Sequence, residues 1–398
     1  MPHQLQTTPF HARTAPLIRG HTWRRWAGHA AASVYDWTHE HEYAAIRNAA
    51  ALLDVSPLHK YRITGRDATR LLDRMVTRHV ARAALGQVLY TGWCDAGGKL
   101  IDDGTISRLG EQEFRLTSAE PNLRWLQRNA FGMQVTIEDI SDQLGALALQ
   151  GPLARTVLNA VAERPLDGLK YFRVMDNRIA GTDLQISRTG YTGDLGYELW
   201  IPAPAALPVW DALVARGADY GLTPAGIWAL DVARIEAGLV MLDVDYQSAH
   251  RAMIEAQMSS PFELSLDWTV SFDKGPYNGR RALQAERERG PAWRFVGLEV
   301  DWDSFETQHA RFDLAPALPA IAWRTSLPVY RAGRQVGYAS SGCWSPLLKK
   351  YLALAHLTAP HFAPDTAVEL EITIEHQRLR AAAAVRKLPF FDPPRKRA

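Results

Sequence analysis

Residues 38–53, THEHEYAAIRNAAALL, place Tyr43, Ile46, Ala50 and Leu53 at helical spacing and predict one amphipathic helix. A strand is predicted over KYRITG at 60–65, then a short helix over DATRLLDRMV with Asp67 as its cap. GQVLYTGWC and KLIDDGTISRL read as strands joined by the turn residues Asp95-Ala-Gly-Gly98. FRLTSA at 114–119 follows as a third strand and PNLRWLQRNA as the next helix. A second cycle of the same kind starts at Leu144. LGALALQG predicts a strand, GPLARTVLNAVA a helix, and LQISRTGYTGDLGYELWI a hairpin around a glycine-rich bend. Two further helices, PAALPVWDALVARGADY and GIWALDVARIEAGL, complete it. After a charged helix over 279–289 the pattern changes to short alternating runs with Gly and Pro turns. RFVGLEV, LPVYRAGRQVGYASSG, YLALAHL, AVELEITI and QRLRAAAAV predict a small β-barrel or sandwich. The predicted class is α+β, with related units over 1–140 and 141–285 and a C-terminal β-domain over 290–398.

Composition adds limits rather than a function. With 398 residues, 47% of them hydrophobic and 22% charged, the chain has material for several packed units. A formal net charge of +2 argues against a dedicated nucleic-acid binder. Thirteen Trp residues suggest core anchors, a pocket for a flat ligand, or both. Cys94 and Cys343 are too few for a disulfide framework and make no Cys-x-x-Cys pair, which fits reduced thiols in a cytoplasmic protein. No apolar run reaches membrane-spanning length. The first 35 residues lack acidic side chains and carry Arg13, Arg19, Arg24 and Arg25, as transit peptides do. Their prolines together with Trp23 and Trp26 predict ordered chain instead. The basic C-terminus, Pro393-Pro-Arg-Lys-Arg397, is expected to be a solvated tail.

Three segments carry candidate chemistry. In Tyr90-Thr-Gly-Trp-Cys-Asp-Ala-Gly-Gly-Lys-Leu-Ile-Asp102-Asp103-Gly104, neighbouring carboxylates on a strand face opposite ways, one to a pocket and one to solvent. A carboxylate in a cavity can orient an N–H group or accept a proton. Taken alone, turn chemistry and solvent exposure are the better explanation of this stretch, and it needs corroboration. In Arg188-Thr-Gly-Tyr191-Thr-Gly-Asp-Leu-Gly-Tyr197-Glu198, the glycines let the backbone approach a ligand. Glu198 stands among apolar neighbours, where an unpaired carboxylate is costly. A heterocycle with paired N–H donors satisfies it, as does a buried arginine. The helix from Gly226 sets Asp231, Arg234 and Ala237 on one face. His39-Glu40-His41 does not form a metal site, because residues two apart on a helix diverge, and no metal is expected. No Gly-x-Gly-x-x-Gly follows a strand, which disfavours a flavin-linked dehydrogenase.

Together these segments resemble the glycine cleavage T-protein (aminomethyltransferase) family, in order and spacing, over nearly the whole chain. The shared stretches begin at Thr14-Ala-Pro-Leu, His41-Glu-Tyr-Ala-Ala-Ile-Arg-Asn and Leu53-Asp-Val-Ser56. They continue through the Gly-Gly-x-x-Asp-Asp turn, Thr-Gly-Tyr-Thr-Gly-x-x-Gly-Tyr-Glu and Arg234-Ile-Glu-Ala-Gly238. Gly279-Arg-Arg-Ala-Leu and a Ser-Gly-x-x-Ser-Pro loop close the set. The resemblance implies a three-domain cloverleaf with tetrahydrofolate in a central channel. It implies Asp102 as the catalytic carboxylate and Glu198 as the reader of the pterin ring. Tyr90, Tyr191 and Trp268 would line the ring's faces, Arg234 would lie near the same site, and Thr117 stands where the family has Asn. Two departures fall where the one-carbon donor would sit. Leu230 replaces an arginine, and Val240-Met-Leu-Asp-Val-Asp-Tyr246 replaces the usual segment. These changes point to a demethylase that moves a methyl group from a small-molecule donor to N5. The alternatives are an aminomethyltransferase served by a lipoyl carrier protein and a non-catalytic folate-binding assembly or repair factor. A cationic donor would suit an aromatic cage, for which Trp93, Tyr246 and Trp344 are candidates, though core packing explains each. Neither a nucleic acid nor a membrane is expected as partner.

Overall fold

Alternation along the strands builds the centre of the protein. The structure, a computed structural model, describes residues 5–398. One antiparallel sheet of five strands runs in the order Val88–Cys94, Leu100–Gly110, Glu113–Ser118, His59–Thr64, Thr136–Asp139. On one of its faces Leu89, Ile106, Phe114, Leu116, Tyr61 and Ile63 bury themselves under the helices Ala68–Met75 and Leu123–Asn129. Positions one residue out of phase, among them Tyr90, Thr105 and Thr117, face the other way.

A second sheet of six strands runs in the order Val174–Ile179, Thr182–Ser187, Gly196–Pro202, Leu144–Gln150, Ala50–Asp54, Leu222–Pro224. Tyr197, Leu199, Ile201, Leu147, Leu149 and Leu52 pack on one face with Val209, Trp210 and Leu213 of the helix Ala206–Gly217. Ala146, Ala148, Leu53 and Trp200 lie on the opposite face, in the cluster that also holds the helix Ile227–Glu236.

The helix expected over residues 38–53 stops early. Glu40–Asn48 is helical, Ala49 leaves helical geometry at φ −138° and ψ −116°, and Ala50–Asp54 is a strand. An Ala/Leu run suits either conformation. Pairing with Leu144–Gln150 on one side and Leu222–Pro224 on the other decides for the strand. Residues 50–54, assigned above to the first unit, therefore lie inside the second sheet.

The C-terminal segment forms a closed barrel of six strands in the order Trp293–Val300, Lys350–Thr358, Arg334–Ser345, Leu327–Arg331, Ala367–Ile374, Gln377–Arg386. Closure removes the free edges that a sandwich would leave. Leu298, Val329, Leu357, Leu370, Ala381 and Val385 fill its interior. A helix at Trp302–Ala310, not predicted above, is capped by the Asp301 side chain, which accepts from the Ser304 N–H at 2.7 Å. The basic tail is not solvated freely. Arg395 grips buried Asp194 through two hydrogen bonds of 2.7 and 2.8 Å, and Arg188 donates to the terminal residue's carbonyl. Both cysteines are buried free thiols. Among the described residues no helix is long and apolar enough to cross a membrane.

Candidate functional site

The polar phase of the first sheet and the mixed Leu53, Ala148, Gln150, Glu198 and Trp200 face of the second line a central cavity of about 1160 Å³, which the barrel and the Val240–Asp243 segment help to close. Ligand pockets commonly hold roughly 300–1,000 Å³, so a drug-sized molecule fits with room for a second group. Of the seven residues expected at the site, Tyr90, Thr117, Tyr191, Glu198 and Trp268 line this cavity. Asp102 and Arg234 do not.

The Asp102 expectation needs correction. Strand alternation counted back from buried Ile106 puts Asp102 on the core side and Asp103 on the cavity side. Asp102 is fully buried. It accepts the Asp103 and Glu120 backbone N–H groups at 2.8 and 3.0 Å and the Asn122 amide at 2.8 Å. It faces no solvent either, since its carboxylate is closed in by the Glu120 backbone and the Asn122 side chain. Asp103 lines the cavity instead, with Tyr90 donating to one oxygen at 2.8 Å and Tyr246 donating to the other. Burial pushes both carboxyl pKa values up, with the Asp103 charge adding to the rise at Asp102. Hydrogen bonds from Tyr246 and Tyr90 oppose the rise at Asp103 and favour its ionised form. Both phenols are themselves pushed well above their ordinary pKa, by burial first and then by Asp103, and so remain donors.

Arg234 is likewise displaced from its expected role. It lies fully buried in a chain of ion pairs, 2.6 Å from Asp245 and 3.4 Å from Asp231. Asp231 also takes a bidentate pair from Arg324 of the barrel domain at 3.0 and 2.7 Å, and Ser340 and Ser341 donate to Asp245. Arg234 therefore ties the helix Ile227–Glu236 to the barrel behind the cavity wall. Trp93, Tyr246 and Trp344 form no cage, and none of them lines the cavity. Trp93 donates to Asn122 in the core, and Trp344 packs on Trp302 at 5.5 Å.

Across the cavity, Glu198 projects from the strand Gly196–Pro202. One oxygen accepts the Thr189 hydroxyl, and the other has no hydrogen-bond partner among the described residues. Burial raises its pKa, while the Thr189 bond and the nearby Arg115 charge act against that rise. The preceding bend follows the predicted glycine logic at Gly193. There φ is +73°, and an added Cβ would stand 2.5 Å from that of Ala237. Tyr191 donates to the Val240 carbonyl, fixing the bend against the opposite wall. Exposed Trp268 stacks on Tyr90 at 5.8 Å and 25°, and the Arg78 guanidinium lies over the Trp268 ring at 5.5 Å. Arg24, Arg294, Arg386, Lys396 and Arg397 add positive charge to the lining.

Sequence reasoning gave the catalytic place to Asp102 rather than Asp103 and read Tyr246 as a cage candidate rather than as a donor to Asp103. Alternation through Gly104 to Ile106 was the available signal for Asp103. Tyr246 comes from a loop whose approach to Asp103 leaves no periodic trace. The resulting arrangement has two carboxylates on facing walls with aromatic rings nearby. It can bind a flat heterocycle through N–H donors and stabilise positive charge that develops beside Asp103.

Comparison with known proteins agrees with this architecture. Residues 10–274 match the GCVT N-terminal domain, and residues 310–392 match the glycine cleavage T-protein C-terminal barrel domain. An aminomethyltransferase from Moorella thermoacetica is 34% identical over 359 residues, covering 89% of this chain and 90% of that protein. An aminomethyltransferase from Halothermothrix orenii is 33% identical over 354 residues, covering 88% and 90%. The crystal structure of glycine cleavage system aminomethyltransferase T from Bartonella henselae superposes with a TM-score of 0.82. It covers 98% of this chain and 99% of that one, and at 23% identity it speaks to the fold. With both domains matched in order and relatives aligned over most of its length, the chain is an enzyme of the glycine cleavage T-protein family.

Proposed function

We propose that the protein is a tetrahydrofolate-dependent one-carbon transferase of the aminomethyltransferase type, forming 5,10-methylene-tetrahydrofolate from a carrier-bound aminomethyl group. The observation that carries this reading is Asp103, a cavity-facing carboxylate held at both oxygens by Tyr90 and Tyr246. The residues fit the folate. Glu198 offers an unpaired carboxylate oxygen inside the cavity, and Tyr90, Tyr191 and Trp268 offer ring faces. The aminomethyltransferase names of the relatives support the transfer chemistry and suggest a lipoyl carrier protein as partner.

When bound, tetrahydrofolate would supply the two nitrogens, N5 and N10, that come to share the one-carbon unit, while the donor's amine leaves as ammonia and its carrier sulfur as the free thiol. The protein's own residues do the rest. Glu198 orients the heterocycle by accepting its N–H groups. Asp103 stabilises positive charge as it grows on the reacting nitrogen and can accept the departing proton, which is general-base work of about 10²–10⁴-fold. Tyr90 and Tyr246 keep that carboxylate fixed and ionised. Thr117, on the strand next to Asp103 and hydrogen-bonded to Thr105 at 2.6 Å, completes the polar wall.

Leu230 and the Val240–Leu242 stretch, both on the cavity wall, favour a second reading. An apolar wall where the family carries an arginine suits a methyl group, and hence a demethylase acting on a small-molecule donor. Calorimetry with tetrahydrofolate, followed by a donor panel, tests both readings. Production of 5,10-methylene-tetrahydrofolate from an aminomethyl-loaded lipoyl carrier establishes the first. Production of 5-methyl-tetrahydrofolate from a methyl donor replaces it with the second, and failure to bind tetrahydrofolate sinks both.

A further inference from the structure

Arg115 is a buried cation without a matched anion. It projects from the strand Glu113–Ser118 of the first sheet and reaches across to the second, where its Nη1 donates to Gln185 at 2.6 Å. Its guanidinium lies over the Trp200 ring at 4.2 Å. The side chain is 2% exposed, and Nε and Nη2 have no hydrogen-bond partner among the described residues. An arginine with two unpaired nitrogens in a protein interior is destabilising, because a buried charge loses its hydration without full compensation. Packing alone gives no reason to keep it.

Its position supplies one. Gln185 pairs with Trp200 across the ladder, and the next pair along the same face is Ser187 with Glu198. Arg115 thus docks one residue pair away from Glu198, on the cavity face of the second sheet. Among the described residues, Arg115 is the cation that acts on the Glu198 carboxyl. The remaining group that touches it is the Thr189 hydroxyl. Arg115 in turn faces Asp176, held through Gln185, and lies near the buried ammonium of Lys60.

We propose that Arg115 is a positioning residue for ligand recognition. Its buried charge, delivered from the first sheet, keeps Glu198 on the second sheet ionised and ready to accept N–H donors from the heterocycle. The proposal deepens the folate reading and rests on it for the identity of that heterocycle. It also makes the ligand-reading carboxylate dependent on how the two sheets are docked, because neither sheet holds both charges.

The direct test is the titration of the Glu198 carboxyl by carbon NMR on the full chain with labelled glutamate, assigned with Glu198→Gln. Arg115→Gln is expected to move that titration upward by about one pH unit and to weaken tetrahydrofolate binding at neutral pH about tenfold. In the Glu198→Gln background the same change should have no further effect on binding. An unmoved titration in a folded Arg115→Gln protein, or equal losses in both backgrounds, overturns the proposal. If Arg115→Gln does not fold, Arg115→Lys decides. It keeps the charge but loses the planar stack and the fork, so wild-type titration and affinity are expected. Lost affinity with an unmoved titration would instead mark a purely structural role. A wild-type chain that ignores tetrahydrofolate defeats the folate reading, whereas the carboxyl titration still tests the Arg115–Glu198 coupling without ligand.

Discussion

Two adjacent aspartates separate chemistry from structure in this site. Asp103 faces the cavity, and Asp102 sits behind it as an acceptor for three N–H groups. Asp103→Asn should lower the transfer rate by about 10²–10⁴-fold while leaving tetrahydrofolate binding in place, as kcat and calorimetry together would report. Asp102→Asn turns an acceptor into a donor against the Asn122 amide or a backbone N–H. It should cost about 1–3 kcal/mol in denaturant unfolding, with activity falling only as far as the strand shifts. The reverse pattern would return the catalytic role to Asp102. The pH dependence has a definite sign. Because burial raises the Asp103 pKa, transfer should fail as pH drops through a value above the ordinary carboxylate range. Tyr246→Phe removes a bond that lowers that pKa, so the acid limb of kcat/KM should move to higher pH. An acid limb that stays in place would separate Tyr246 from the ionisation of Asp103. Glu198 was legible from its costly apolar neighbourhood. Asp103 was not chosen because adjacent identical residues differ only in phase, and the phase is set by what packs beneath the strand.

Several elements are pinned by buried ion pairs rather than by their own propensity. The helix Glu40–Asn48 is short and ends on Arg47, which sends two hydrogen bonds of 2.8 and 2.6 Å to Glu236. It also donates to the carbonyls of Thr192 and Ala233. Tyr43 from the same helix and Ser345 from the barrel meet the other oxygen of Glu236. Arg47→Met should therefore cost about 3–5 kcal/mol, since it strands Glu236 in the interior. Arg395→Ala removes a partly exposed partner from Asp194, which keeps Arg47 at 3.5 Å, and should cost under about 1 kcal/mol. Urea unfolding of both variants checks the contrast, and equal losses would mean that the C-terminal tail is as integral as the core helix. Most elements were readable as periods of two or of 3.6 along the chain. The strand Ala50–Asp54 was not, because its residues also fit a helix and its conformation comes from two neighbours, Leu144–Gln150 and Leu222–Pro224, that lie far along the chain.

The cavity is a property of the assembled parts. Its lining comes from both sheets, from the helix Ile227–Glu236, from the barrel and from the docked tail, so no single unit holds a complete site. A ligand filling it should stabilise the folded chain by about 2.7 kcal/mol at a hundredfold excess over Kd. A rise in Tm on adding tetrahydrofolate, reduced in Glu198→Gln, would report that linkage, whereas an unchanged Tm at saturating ligand would place binding elsewhere. By itself the amino-acid sequence determined the order of the elements, their two-phase strands, the glycine-rich bend, and the residue types of the site. It did so because these follow from local periodicity and from motifs read in order. Tertiary structure alone decided which aspartate meets the cavity, that Tyr246 bonds that aspartate, that Arg234 ties a helix to the barrel behind the wall, and that Arg115 from one sheet docks one residue pair from Glu198 of the other. Each of these depends on pairing and packing between residues far apart in the chain, whose energies are comparable to local preferences and so leave no local mark.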